Sequence, residues 1–187
     1  MGKQKQTKHK KEELSPYAWA LRIFLIAIAL SAALSLLSET TLAGADIAMA
    51  LLILGLFILL GIAFDILGVA VTAADERPFH SAAAHREKGA KESLWLLRRA
   101  SYVSSFCNDV VGDICGIVSG TTGAVIVTRL QAALSVQNVL FSVGVTALVS
   151  GLTIGGKALG KNFAMKQSTE VVFLAGRFLH IFHRSSK

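Results

Sequence analysis

The run from Ile47 to Phe64 contains no charged residue, and this constrains the fold more than anything else in the chain. It approaches the roughly 20 apolar residues that a helix needs to cross a bilayer. Inside hydrocarbon, backbone N–H and C=O groups must be satisfied within the segment or in a closed barrel, so a lone run of this kind is a helix. Tyr17–Leu37 repeats the pattern, interrupted only by Arg22. Val139–Ile154 is apolar, rich in small residues, and followed by Gly155–Gly156. Tyr102–Thr128 makes a further span, although it carries Asp109 and Asp113. With 53% hydrophobic residues and a mean hydropathy of +0.57, the chain is too apolar for an ordinary soluble domain. The expected architecture is an all-α integral membrane protein with four transmembrane helices near 17–37, 47–73, 102–129 and 138–157.

The net charge of +7 is distributed as a topology signal. A basic tail, residues 1–16, holds Lys3, Lys5, Lys8, Lys10 and Lys11. The 75–101 connector holds Arg77, Arg86, Lys88, Lys91, Arg98 and Arg99, and Lys161, Lys166, Arg177, Arg184 and Lys187 follow the last span. The connections Ser38–Asp46 and Leu130–Asn138 contain neither Lys nor Arg. By the positive-inside rule both termini and the connector are cytoplasmic, in a multi-pass protein of the cell membrane. The charge is thus read as facing anionic headgroups of the lipid bilayer, with no nucleic acid as partner. Ala43-Gly44-Ala45 before Asp46 imitates a signal-peptide cleavage site. The preceding apolar run is longer than a signal core, so it is read as a retained first span.

The connector reads as a cytoplasmic amphipathic helical segment, with Trp95, Arg98 and Arg99 suited to the headgroup zone. Three glycines within Gly155–Gly160 predict a break or bend at the end of the last span. Beyond it, residues 169–182 read as a short interfacial helix lying along the inner leaflet.

The chemistry-bearing stretch is Phe106–Gly120. Asp109 and Asp113 lie one turn apart, and Gly112, Gly116 and Gly120 recur every fourth residue as a helix-packing stripe. A charged side chain near the bilayer centre costs about 2.5 kcal/mol or more on insertion scales, so the pair is expected in a protein-lined or water-lined site. Asp65 lies near the inner end of the second span, roughly two turns from the boundary, and Lys157 near the inner end of the fourth. Asp65, Asn108, Asp109 and Asp113 offer hard oxygen ligands to Mg²⁺ or another divalent cation. The competing arrangement is an ion pair of Lys157 with Asp109 or Asp113 that locks helix packing. Cys107 and Cys115 are read as small buried hydrophobes. His180 and His183, one turn apart, lack a third ligand for zinc and are read as interfacial residues.

The order of Phe64-Asp-Ile-Leu-Gly-Val-Ala-Val-Thr72, Lys88-Gly-Ala-Lys91, Phe106-Cys-Asn-Asp-Val-Val111 and Gly155-Gly-Lys-Ala-Leu-Gly-Lys161 resembles the transmembrane domain of the CorB/CorC and cyclin-M (CNNM) Mg²⁺ and Co²⁺ transporter family. The resemblance covers residues 47–182. It implies a homodimeric domain with a dehydrated Mg²⁺ site. Asn108 matches the first asparagine of the family's Gly-Asn-x-Leu-Val-Asn-like span, whereas Gly112 stands at the second. Lys157 stands where the family's Gly-Glu-x-x-Pro-Lys-like ending has its glutamate.

Two functional expectations follow. One is a protein that binds or transports a divalent cation (Mg²⁺- or Co²⁺-like) through Asp65, Asn108, Asp109 and Asp113, with Lys157 as gate or tethered competitor. The other is a transport-inactive module in which Lys157 occupies the site and the protein assembles with, or regulates, another membrane protein. An enzyme is not expected. Asp109-x-x-x-Asp113 is like the end of the CDP-alcohol phosphotransferase signature, but the upstream Asp-Gly-x-x-Ala-Arg part is absent. No Ser/His/Asp set, phosphate loop or nucleotide fingerprint appears.

Overall fold

The computed structural model describes residues 16–135 and 138–185. The lysines of the basic tail fall outside those residues, as does the side chain of His183. Among the described residues the structure is helical: α1 (Pro16–Ala43), α2 (Ile47–Ala73), α3 (Arg77–Ala84), α4 (Ala90–Arg98), α5 (Ala100–Ser105), a π-helical segment (Phe106–Gly112), α6 (Asp113–Leu134), α7 (Val139–Lys166) and α8 (Ser168–Ser185). Four helices are long and apolar enough to cross a membrane: Ala20–Ala43 within α1, then α2, the continuous Ala100–Leu134 helix, and α7. The protein is a multi-pass, all-α membrane protein.

Local chemistry starts and stops these helices where the chain turns. Asp46 caps α2 by accepting a hydrogen bond from the Met49 amide at 2.9 Å. Asn138 caps α7 in the same way, accepting from the Leu140 amide at 2.9 Å. At the C-terminal end of α1, the Arg129 guanidinium donates to the carbonyls of Leu42 and Ala45 at 2.6 and 2.5 Å, satisfying acceptors that the helix end leaves open. Ser38 Oγ and Thr122 Oγ1, 3.1 Å apart and buried, join α1 to α6.

α2 is the central helix and touches α7, α6, the π segment, α5 and α8. Two hydrophobic clusters surround it. One gathers Ile53, Leu54, Phe57, Val110, Ile114, Val118 and Ile126. The other, towards the basic end of the bundle, gathers Val71, Phe79, Leu94, Leu97, Val103 and Val172. Phe64 packs against both, and Asp65 follows it in the chain.

The expected break at Gly155–Gly160 is not there, because α7 runs unbroken to Lys166. The glycines work as notches for a close helix crossing. A Cβ on Gly156 would lie 2.5 Å from Ile62 Cδ1, and one on Gly160 would lie 2.9 Å from Ile66 Cγ1. The last span is correspondingly longer than expected.

α3, α4 and α8 form a collar at the basic end of the bundle. Phe79 stacks on Phe173 with ring centroids 4.4 Å apart. Ser93 Oγ, buried, donates to the carbonyls of Gly89 and Val172. His180 Nδ1 lies 2.9 Å from Glu92 Oε1. Gly89 has φ +87°, and a Cβ there would also lie 2.6 Å from the Arg177 amide nitrogen, so both its backbone and its neighbour require glycine. Arg99 stacks over the Trp95 ring at 4.7 Å, a cation–π pair.

A buried charge pair as candidate functional site

Asp65 is the charged side chain buried deepest among the described residues, at 3% exposure. It sits on one face of α2 with Gly61 and Gly68, at helical offsets of four and three residues. This face meets the π segment. A Cβ on Gly61 would lie 3.1 Å from Cys115 Cβ, and one on Gly112 would lie 2.6 Å from Asp65 Oδ1. Asn108 Oδ1 is the nearest atom to a Cβ built on Gly68. Gly112 therefore makes room for the Asp65 carboxylate and Gly68 for the Asn108 amide, while Gly61 lets the Cys115 turn pack close.

Lys157 reaches this place from α7. Its ammonium lies 3.3 Å from Asp65 Oδ2 and donates to the Gly112 carbonyl at 3.2 Å. The depths agree. Asp65 lies about 12 Å from the end of α2, and Lys157 about 14 Å from the end of α7, at 1.5 Å rise per residue. An ionised group at this depth is retained where it pairs inside the bundle. The Lys157 side chain is 20% exposed and that of Asp65 4%, so the pair is nearly sealed. A one-turn π-helix inside an α-helix shifts side-chain phase and often marks a functional position. Here it ends at the carbonyl that Lys157 contacts.

Asn108, on the π segment, faces Gly68 of α2, and its Nδ2 donates to Ser104 Oγ at 3.3 Å. Its Oδ1 is buried without a hydrogen-bond partner among the described residues. Asp109 and Asp113 are placed differently from Asp65. Both are exposed on the outward side of the Ala100–Leu134 helix, and neither has a hydrogen-bond or ion-pair partner among the described residues. Lys157 thus joins Asp65, whereas the sequence spacing pointed to Asp109 or Asp113.

The glycine stripe divides for a geometric reason. Each four-residue step on a 3.6-residue helix overshoots by about 40°. Gly112 is buried against Asp65, Gly116 is half-buried, and Gly120 is exposed; a Cβ on either of the last two would meet nothing within 4 Å. Asp109, Asp113, Gly116 and Gly120 therefore border one open face of the protomer.

Among the described residues, no three His, Cys, Asp or Glu side chains converge closely enough to hold a metal ion. Of the oxygens expected to act together, Asp65 and Asn108 line the inside, and Asp109 and Asp113 the outside. The inward-facing glycines Gly61 and Gly68 were not singled out from the sequence, although their spacing around Asp65 was the available signal. No family model, no curated protein and no solved structure matches this chain.

Proposed function

We propose that this protein is a transport-silent membrane module. In it, Lys157 supplies the cation at the internal carboxylate, and the Asp109–Asp113 face docks another membrane protein. The observation that carries this reading is the ammonium of Lys157 on Asp65 Oδ2 at 3.3 Å and on the Gly112 carbonyl at 3.2 Å. A carboxylate and a backbone carbonyl are cation ligands, and a tethered ammonium already contacts both. The outward aspartates support the second half. A charged side chain left against lipid costs up to about 2.5–3.5 kcal/mol at the bilayer centre and less towards the interface, so a covering surface stabilises the pair. Gly116 and Gly120 leave room for a helix backbone to approach beside them. In this reading the basic end, with 75–101 and α8, faces the cytoplasm.

A second reading is favoured by two observations: among the described residues Asp109 and Asp113, one turn apart, have no partner, and Asn108 Oδ1 is buried without a donor. A homodimer that brings two such faces together assembles four carboxylates, and a divalent cation such as Mg²⁺ or Co²⁺ neutralises them with oxygen ligands. This is the arrangement closest to the CorB/CorC resemblance.

Calorimetric titration of the purified protein with Mg²⁺, Mn²⁺ and Co²⁺ separates the two. The module predicts no binding by the wild type and appearance of a cation site in Lys157→Glu, which turns the tethered cation into a ligand. Saturable wild-type binding that is lost in Asp109→Asn/Asp113→Asn establishes the divalent-cation reading instead.

A further inference from the structure

A cavity of about 460 Å³ opens where the end of α7 meets α8, within the roughly 300–1,000 Å³ of small-ligand sites. Its apolar wall includes Phe163, Phe173 and Leu174, and Glu87, Glu170 and Arg177 also line it. These three charged residues are exposed. Their side chains have no hydrogen-bond or ion-pair partner among the described residues.

Depth identifies the kind of molecule that reaches this cavity. α7 has 28 residues, which extend about 42 Å at 1.5 Å per residue, against a hydrocarbon core of about 30 Å. The turns around Phe163 therefore stand in the headgroup zone. Only Gln167 separates α7 from α8, which holds α8 at that level. Leu174, Phe178 and Ile181 recur on α8 at helical spacing and are exposed at 70%, 62% and 67%, presenting an apolar row at the membrane surface.

The charges select the headgroup. Glu170 and Arg177 are seven residues apart on α8, on one face, with Leu174 between them. A guanidinium takes a phosphate through two parallel N–H donors. The two carboxylates call for a cation with N–H groups. An anionic glycerol headgroup satisfies Arg177 but offers the two carboxylates only neutral hydroxyls, with no counter-charge. A choline headgroup is cationic but has no N–H to donate.

We propose that this cavity binds one phosphatidylethanolamine molecule. Its phosphate lies at Arg177, its primary ammonium between Glu87 and Glu170, and an acyl chain along Phe163, Phe173 and Leu174. Phe173 also stacks on Phe79 of α3, so the lipid shares a wall with the contact that fixes the collar.

Native mass spectrometry of the detergent-solubilised full chain tests this, with phosphatidylethanolamine, phosphatidylcholine and phosphatidylglycerol of identical acyl chains. The expected result is a single bound phosphatidylethanolamine, retained about fivefold more tightly than either competitor, the scale of one exposed ion pair. Arg177→Gln lowers that affinity by a similar factor. Glu87→Gln/Glu170→Gln abolishes the preference over phosphatidylcholine while circular dichroism stays unchanged. Equal retention of the three lipids by the wild type overturns the proposal. So does a preference for phosphatidylglycerol, or a phosphatidylethanolamine preference that survives both variants.

Discussion

The Lys157 ammonium sits 3.3 Å from Asp65 Oδ2, joining α7 to α2 at the level where the π segment crosses. Each partner is the other's counter-charge in a place with little water. Removing one is therefore worse than removing both. Lys157→Met leaves a buried, uncompensated carboxylate and is expected to destabilise the bundle by about 3–5 kcal/mol. Asp65→Leu/Lys157→Met is expected to regain most of that, since a well-packed apolar pair often equals a buried ion pair. Equilibrium unfolding of the three proteins in mixed micelles measures it. Independent, additive losses in the double variant would show that the two side chains do not act as a pair.

The glycines separate packing inside the protomer from contacts outside it. A Cβ on Gly112 would lie 2.6 Å from Asp65 Oδ1 and 3.3 Å from the Cys107 carbonyl. Gly112→Ala must therefore push the carboxylate off Lys157, at about 1–3 kcal/mol for overpacking. A Cβ on Gly116 or Gly120 meets nothing within 4 Å in the protomer, so Gly116→Leu and Gly120→Leu are expected to leave its unfolding unchanged. They are expected to weaken assembly, read as loss of the larger species on crosslinking in native membranes. Unaltered crosslinking in both leucine variants would remove this face from any interface.

The spans were legible because bilayer thickness writes itself into length and composition: Ile47–Phe64 alone, without a charge, dictated a helix. Asp65 and Lys157 were also legible as candidates, from their depth. Their pairing was not, because it depends on α2 lying between α7 and the π segment, which no spacing along the chain encodes. The glycines near Lys157 misled for a related reason. A glycine weakens a helix in isolation, but at Gly156 and Gly160 it admits Ile62 and Ile66 of α2, and tertiary contact overrides propensity. The π segment carries no composition signal, and it changes which side chains of Phe106–Gly120 face inward.

Arg129 fastens the first span. Its guanidinium takes the carbonyls of Leu42 and Ala45 at the end of α1, and α1 otherwise meets the bundle mainly along α6. Arg129→Gln keeps a polar side chain but removes the charged fork, at about 1.5–3 kcal/mol for hydrogen bonds to a charged group. The expected outcome is faster amide exchange confined to the last turns of α1, with α2 and α6 protected as before. Exchange that rises across α2 as well would mean that α1 is required for the core rather than attached to it.

The collar makes the last prediction because two of the contacts that hold α8 to α4, beside their apolar packing, differ in kind. One is a backbone approach. A Cβ on Gly176 would lie 2.5 Å from the Gly89 carbonyl, beside the buried Ser93 Oγ that donates to the Val172 carbonyl at 3.1 Å. The other is the partly exposed His180–Glu92 contact at 2.9 Å. The first admits no side chain, whereas the second is open to solvent and worth about 1 kcal/mol or less. Gly176→Val is therefore expected to release α8, since the backbones cannot separate by a methyl width and keep the Ser93 hydrogen bond. His180→Ala is expected to leave it docked. Limited proteolysis after Lys166 reads the difference: rapid cleavage in Gly176→Val, slow cleavage in wild type and His180→Ala. If His180→Ala were cleaved as fast as Gly176→Val, the polar contact and not the close backbone crossing would be what holds the helix.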